Sequence, residues 1–183
     1  MMIDRVTLIT GNEGKAREYA ALLGIEVTAV KAELTEVQAL DVERVAKRKA
    51  EDAFAHLGVP VLVDDTGLSV RAWNGLPGAL VAWFLDTVGA EGILAMAAGL
   101  SDRRATVTTA LGYADDSGVR VFRGAVAGSL ASEARGTNGF GYDAIFAPDG
   151  DGRTFAEMTR EEKNRISHRR LAVEDMRNRL GLP

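Results

Sequence analysis

Residues 60–68 read Pro60-Val61-Leu62-Val63-Asp64-Asp65-Thr66-Gly67-Leu68, an aliphatic run that passes directly into two carboxylates, a hydroxyl and a glycine. The aliphatic half predicts a short buried strand that ends at the acidic pair. In an open α/β sheet, ligands bind beyond the carboxyl ends of the strands, where Asp64 and Asp65 would emerge. Because successive side chains on a strand point to opposite faces, one carboxylate can face a ligand while the other anchors the loop. Taken alone, a plain Asp-Asp-Thr-Gly turn explains the stretch equally well.

The length and composition predict one ordinary globular domain over residues 1–183. The formal net charge of −4 argues against nucleic-acid binding as the main role, because domains with that role usually carry a basic excess. The absence of cysteine excludes disulfides, a thiol nucleophile and a zinc-thiolate site. The sequence contains neither a signal peptide nor an apolar run near the ~20 residues of a membrane span. We therefore expect a cytoplasmic protein that does not contact membranes.

The N-terminal residues predict a strand, a polar loop and a helix. A strand over residues 6–9 leads into the loop Thr10-Gly11-Asn12-Glu13-Gly14-Lys15, and the apolar spacing of Ala16, Tyr19, Ala20 and Leu23 then indicates an amphipathic helix. A loop in this position directs backbone N–H groups and the positive end of the helix dipole at one point, which suits a phosphate. Lys15 adds a full positive charge. The pattern is only moderately specific, since it lacks the complete Walker motif.

Lys49 is out of place in the second predicted helix, which begins near Asp41. It lies seven residues after Val42, on the stripe that should face the core. An unpaired ammonium there would be costly to bury. Either its amine extends to water while its stem packs, or it reaches an anion at the end of the neighbouring strand.

Two further segments have a composition that suggests a site. Three glycines alternate with aromatic residues between Gly136 and Asp143, which is expected where the backbone must adopt unusual dihedrals or approach a ligand closely. Near the C-terminus, Thr159 and Glu162 are spaced as a capping box. Ser167 is placed to cap a last helix that begins with His168 and Arg169, and its Leu171, Ala172, Met176 and Leu180 can face the core. Cations at a helix N-terminus oppose the helix dipole unless a negative group lies between them.

Taken together, five short segments resemble the inosine triphosphate pyrophosphatase family. In chain order they are Thr10-Gly11-Asn12 with Lys15, residues 64–68, Gly75-Leu76-Pro77-Gly78, Phe140-Gly141-Tyr142-Asp143, and Glu161-Glu162-Lys163-Asn164 followed by Ser167-His168-Arg169. The resemblance implies an α/β fold with an elongated central mixed sheet flanked by helices, and two lobes around a nucleotide-binding cleft. It also implies a homodimer and a requirement for Mg²⁺.

The resemblance also implies roles for individual residues. The loop Thr10, Gly11, Asn12, Glu13, Gly14 and Lys15 would hold the triphosphate, and Lys49 would reach the phosphates. Glu36 and Asp65 would bind the metal, with Asp65 as the catalytic acid and Thr66 in contact with the substrate. Phe140, with Gly141 beside it, would stack on the base, and Tyr142, Asp143, Lys163, His168 and Arg169 would line the base pocket. Some family members carry a lysine where this chain has Ala82, so a phosphate contact from that position is missing here.

The implied reaction is hydrolysis of ITP, dITP and XTP to the monophosphate and pyrophosphate. Phosphoanhydride hydrolysis depends mainly on positioning and on charge neutralisation, so acids for Mg²⁺ and cations for phosphate oxygens must converge. The sequence supplies both sets. Two alternatives are a non-catalytic nucleotide sensor, which has no need for Glu36 and Asp65 together, and a phosphatase of other phosphate esters, which would release inorganic phosphate.

Overall fold

The computed structural model describes residues 5–11 and 13–182. Within them lies a mixed sheet built from strands β1 (Arg5–Ile9), β2 (Glu26–Val30), β3 (Val61–Val70), β4 (Pro77–Gly78), β5 (Arg104–Asp115), β6 (Gly118–Leu130) and β7 (Phe146–Pro148). The flanking helices are α1 (Glu13–Leu23), α2 (Val42–Leu57), α3 (Val81–Thr87), α4 (Gly89–Met96), α5 (Arg160–Ile166) and α6 (His168–Leu180). The predicted α/β class with a mixed central sheet is confirmed. None of the described helices is both long and apolar enough to cross a membrane.

The sheet has the order β2-β1-β3-β5-β6-β7, with β4 paired to β3. β1 runs parallel to both β2 and β3, whereas β3, β5, β6 and β7 pair antiparallel. The parallel pairing of β1 with β3 ends at Leu8 and Leu62. Asp64 and Asp65 therefore lie just beyond the carboxyl end of β1, in the crevice that the sequence predicted.

The predicted end of the acidic strand was wrong. β3 does not stop at the carboxylates but continues to Val70, because it pairs with β5 along its whole length, with Asp65 opposite Ala110. The glycine in this segment serves close packing instead of a turn. A Cβ at Gly67 would lie 2.8 Å from Val42 Cγ1 and 2.9 Å from the backbone of Gly78, which are contacts that only glycine permits.

The helix boundaries follow their local capping signals. Asp41 accepts a hydrogen bond from the backbone N–H of Glu43 at 2.9 Å and begins α2. Thr159 and Glu162 form the predicted capping box of α5, and Ser167 caps α6. These predictions are confirmed. Sequence alone could predict the caps because a cap depends on residues within one turn of the helix end.

The predicted inner face of α6 was partly wrong. Leu171, expected to face the core, is 37% exposed, whereas Val173 is 1% exposed. Ala172 and Met176 are buried as expected. α6 packs on β5 and β6 with a stripe slightly rotated from the predicted one.

Apolar clusters lie on both faces of the sheet. The cluster under α1 and α6 includes Leu62, and the cluster under α2 includes Val61 and Val63. Even-numbered residues at the start of β3 thus face α1 and α6, and odd-numbered residues face α2. This alternation fixes where the two carboxylates point. The organisation of residues 1–183 as one domain with two lobes stays a prediction.

Candidate active site

A cleft of about 310 Å³ opens at the acidic end of the β1 and β3 pairing. It gathers twelve of the predicted site residues, namely Lys15, Glu36, Lys49, Asp65, Thr66, Phe140, Gly141, Tyr142, Asp143, Lys163, His168 and Arg169. Thr10 and Gly11 do not belong to its described wall, and Asn12 lies outside the described residues. Glu13 and Gly14 begin α1, but their side chains also lie outside the description. The roles of these five loop residues in holding the triphosphate stay predictions.

One side of the cleft contains an ion-pair cluster formed by Glu36, Lys49 and Asp65. Lys49 Nζ lies 2.6 Å from Glu36 Oε1 and 3.6 Å from Asp65 Oδ1, and its side chain is 16% exposed. Burial alone would lower the pKa of Lys49, but the hydrogen bond to Glu36 and the charge of Asp65 outweigh burial and raise it. Of the two alternatives for Lys49, the one in which it reaches an anion is correct, and the anions are carboxylates of the protein.

Asp65 combines a perturbed pKa with an unused oxygen. Burial raises the pKa of Asp65 to about 7; Asp64 and Glu36 also raise it, and Lys49 lowers it. Its Oδ2 is buried and has no hydrogen-bond partner among the described residues. A buried acceptor without a partner carries a desolvation penalty that a water proton or a cation would relieve. Among the described residues no three His, Asp or Glu side chains cluster closely enough to hold a metal alone.

Asp64 lies in a strongly cationic environment on the other side of β3. Lys15 Nζ lies 3.0 Å and Arg169 Nη2 4.0 Å from Asp64 Oδ2, which also accepts a hydrogen bond from the hydroxyl of Tyr19 at 3.3 Å. Burial alone would raise the pKa of Asp64, but Lys15 and Arg169 outweigh burial and lower it. Asp64 is therefore an anchoring carboxylate, the second of the two roles expected for the acidic pair.

Arg169 is fixed by residues that the sequence analysis did not identify. Its side chain is 2% exposed, and its Nη1 donates a hydrogen bond to Glu18 Oε2 at 2.8 Å. The guanidinium also lies 5.6 Å from the ring centroid of Tyr19. Glu18 and Asp64 supply the negative charge expected near the cations of α6. Lys15, Glu18 and Tyr19 share one helical face, but this spacing is ordinary for an amphipathic helix and gives no sign of a partner in α6.

The 139–143 loop is held against α5 by Asp143. Asp143 Oδ2 accepts a hydrogen bond from Lys163 Nζ at 2.6 Å and another from the backbone N–H of Phe140 at 2.9 Å. A Cβ at Gly139, which has φ of +77°, would collide with this carboxylate. The loop leaves the ring of Phe140 50% exposed, with Lys163 Nζ 5.2 Å from its centroid. An exposed flat ring beside a fixed ammonium is suited to stacking with a planar ligand.

His168 is held as a neutral imidazole. Burial, with Arg169 and Lys163 nearby, keeps the pKa of His168 well below its usual value. Its Nε2 lies 2.9 Å from the hydroxyl of Tyr142, and its Nδ1 is buried without a partner among the described residues. Burial and the neighbouring cations therefore favour a neutral tautomer over a protonated ring.

Helix α3 and the residues just before it form a further wall of the cleft. Residues 79–83 and Leu85 line the cleft. Trp83 is 65% exposed at this wall. Ala82 offers only a methyl group to this wall.

Sequence and structure comparisons match nearly the whole chain to known proteins. The sequence model of the Ham1 family matches residues 6–179. The chain is 42% identical to a dITP/XTP pyrophosphatase of Thermococcus kodakarensis, over 95% of this chain and 96% of that protein. It is 44% identical to an inosine triphosphate pyrophosphatase of Yarrowia lipolytica, over 94% and 93% of the two chains. The structure of the Ham1 protein of Staphylococcus aureus superposes with a TM-score of 0.87 at 30% identity, over 97% of this chain and 98% of that one.

Proposed function

Since the chain belongs to the Ham1 family, we propose that it is an enzyme that hydrolyses ITP, dITP and XTP to the nucleoside monophosphate and pyrophosphate. The observation that carries the proposal is the position of Asp65. Asp65, whose buried Oδ2 has no hydrogen-bond partner among the described residues, lines the same cleft as two lysines suited to phosphate and an exposed aromatic ring suited to a base.

Lys15 and Lys49 are the cations placed to neutralise the triphosphate. Both line the cleft, and each is paired with a carboxylate of β3 in the nucleotide-free protein. Phosphoryl transfer requires little covalent chemistry from the protein and depends on positioning and electrostatic stabilisation. Ammonium groups already ordered in the cleft provide both.

Asp65 is the residue suited to activate water. A general base works best when its pKa lies near the working pH, and burial raises the pKa of Asp65 to about 7. Its carboxylate would accept a proton from a water that attacks the α-phosphorus. Bond cleavage between the α- and β-phosphates then releases pyrophosphate as the leaving group.

Glu36 and Asp65 fit Mg²⁺ as carboxylate ligands. Mg²⁺ prefers oxygen ligands and is commonly held by one or two carboxylates together with substrate phosphates and water. The Oδ2 of Asp65, which has no partner in the described part of the chain, and the 62% exposed side chain of Glu36 meet that requirement. Bound there, Mg²⁺ would supply neutralisation of the charge on the triphosphate oxygens.

The opposite end of the cleft suits a purine with a keto group. Phe140 offers a stacking surface, and Lys163 and Arg169 are fixed donors beside it. The keto oxygen of ITP and XTP is an acceptor, whereas the corresponding group of ATP is an amine. Buried donors left facing an amine would disfavour ATP strongly.

Binding as a homodimer and a cytoplasmic location stay predictions, as does the absence of nucleic-acid partners. The acidic net charge of −4 is the feature that supports the last of them.

Incubation of the protein with ITP and Mg²⁺, followed by separate assays for pyrophosphate and inorganic phosphate, tests the proposed function. Inosine monophosphate and pyrophosphate are the expected products, and they should disappear when EDTA is added. Inosine diphosphate and inorganic phosphate would instead indicate the phosphatase alternative. Tight binding of ITP without any product would indicate the sensor.

A further inference from the structure

Lys49 occupies the space between the two carboxylates that suit a divalent cation. Its ammonium lies 2.6 Å from Glu36 Oε1 and 3.6 Å from Asp65 Oδ1. The stem is held by α2, whose neighbouring residues Val45, Ala46 and Ala50 are buried. With its side chain 16% exposed, the ammonium is not a mobile surface charge that passes by chance near these acids.

An ammonium and a metal ion cannot both use the same pair of carboxylates without repulsion. Like charges a few ångströms apart disfavour each other strongly at a partly buried site. A cation that enters next to Asp65 must therefore displace Lys49 or bind weakly. Lys15, the other lysine that lines the cleft, is paired with Asp64.

We propose that Lys49 acts as a resident counter-ion of Glu36 and Asp65, so that the protein binds a divalent cation well only when nucleotide phosphates draw Lys49 away. The proposal rests on the proposed function, because it needs a polyphosphate in the same cleft. Phosphate oxygens offer the ammonium new acceptors. The two carboxylates are then free for the metal.

This exchange makes the metal and the nucleotide enter together. The free protein presents a carboxylate pair whose charge Lys49 partly neutralises, which weakens its attraction for a divalent cation. The metal-loaded triphosphate carries both the cation that the acids need and the anion that Lys49 needs. Lys49 thus has two roles. It is the counter-ion of Glu36 and Asp65 in the free protein, and it contacts phosphate once the nucleotide is bound.

Titration of the nucleotide-free, EDTA-treated protein with Mn²⁺, followed by calorimetry and by thermal unfolding, tests the proposal without any turnover. Lys49→Met keeps the stem and removes the charge, and Lys49→Gln is a second neutral variant in case the first folds poorly. Lys47→Met is the matched control, because Lys47 lies on the same helix but its side chain is 61% exposed and pairs with Glu51.

Wild type and Lys47→Met should bind Mn²⁺ weakly and alike, whereas the Lys49 variants should bind at least about tenfold more tightly and gain more thermal stability from the ion. Addition of Glu36→Gln to Lys49→Met should remove the gain. Equal Mn²⁺ affinity in wild type and the Lys49 variants would overturn the proposal. A submillimolar Kd of the nucleotide-free wild type for Mn²⁺ would also overturn it. Pyrophosphate release from ITP by the wild type reports separately on the proposed function, so the two can fail independently.

Discussion

Asp64 and Asp65 are consecutive residues of β3, yet their carboxylates face opposite sides of the sheet and contact different cations. Asp64 pairs with Lys15 of α1, and Asp65 lies 3.6 Å from Lys49 of α2. The pKa of Asp64 is lowered, while burial raises the pKa of Asp65 to about 7. One strand therefore supplies an anchoring carboxylate and a carboxylate that can exchange a proton near neutral pH.

Asp65→Asn should remove most of the turnover, because the amide can neither accept a proton from water nor carry charge to a metal. We expect kcat with ITP to fall by about 10²–10⁴-fold, the usual contribution of a general base. Pyrophosphate release measures the effect, and Asp116→Asn, in the exposed hairpin turn, is the control. Near-normal turnover of Asp65→Asn would contradict the role assigned to this carboxylate.

The same substitution should stabilise the metal-free protein at alkaline pH. The folded pKa of Asp65 is about 7 against an ordinary value of 3.8, so between these values the folded state holds the extra proton and stability falls as pH rises. At about 1.4 kcal/mol per pKa unit, Asp65→Asn should recover a few kcal/mol at pH 8 and little at pH 4. Urea unfolding in EDTA at the two pH values measures the difference. A variant less stable than wild type at pH 8 would contradict the expectation.

Asp64→Asn should have the opposite effect on stability. It leaves Lys15 and Arg169 without their shared carboxylate, and breaking one partner of a buried pair costs about 3–5 kcal/mol. The folded pKa of Asp64 is lowered, so its contribution is present above the ordinary pKa and is lost as pH falls through the lowered value. The same urea series at pH 8 should show Asp64→Asn well below wild type. If Asp64→Asn and Asp65→Asn change the free energy of unfolding at pH 8 in the same direction, the two acids do not lie in opposed environments.

The parts of the fold that local sequence determines were predictable. Asp41, Thr159 and Ser167 signal their helix starts because a cap depends on neighbours within one turn. The end of β3 was not predictable in this way. Polar residues at 64–66 resemble a turn, but pairing with β5 keeps them in the strand, and that partner begins far away in the sequence.

The site shows the same division between local and tertiary information. Lys49 was identifiable because a lysine on an apolar stripe conflicts with its helix. Glu18 and Tyr19 were not identified, because an acid and an aromatic on an amphipathic helix are ordinary until the fold brings Arg169, 151 residues further along, against them. Pair partners so distant in sequence leave no spacing pattern for a single sequence to reveal.

Arg169→Ala should reduce the preference for ITP over ATP. Removal of this fixed donor leaves fewer unsatisfied groups when an amine replaces the keto oxygen, so the ratio of kcat/KM for the two substrates should fall by at least about tenfold. The substitution also removes an ion-pair partner of Glu18 and Asp64 and so lowers stability. A loss of folded enzyme lowers both kcat/KM values equally and cancels in the ratio. Arg170→Ala is the control, since Arg170 is partly exposed and pairs with Glu174. Equal kcat/KM for ITP and ATP in the unmodified protein would show that Lys163 and Arg169 do not select the keto oxygen.

The preference for ITP over ATP should not change with pH between pH 6 and 8, even though a histidine lies beside the base end of the cleft. A histidine with an ordinary pKa of about 6.5 would change charge in this interval and add a donor on the acidic side. Burial, Arg169 and Lys163 hold the pKa of His168 well below that value, so it stays neutral throughout. Measurement of kcat/KM for both substrates across the interval tests this, because a proton that affects turnover alone cancels in the ratio. A ratio that rises about tenfold toward pH 6 would show that His168 becomes charged in the cleft and that its neutral assignment is wrong.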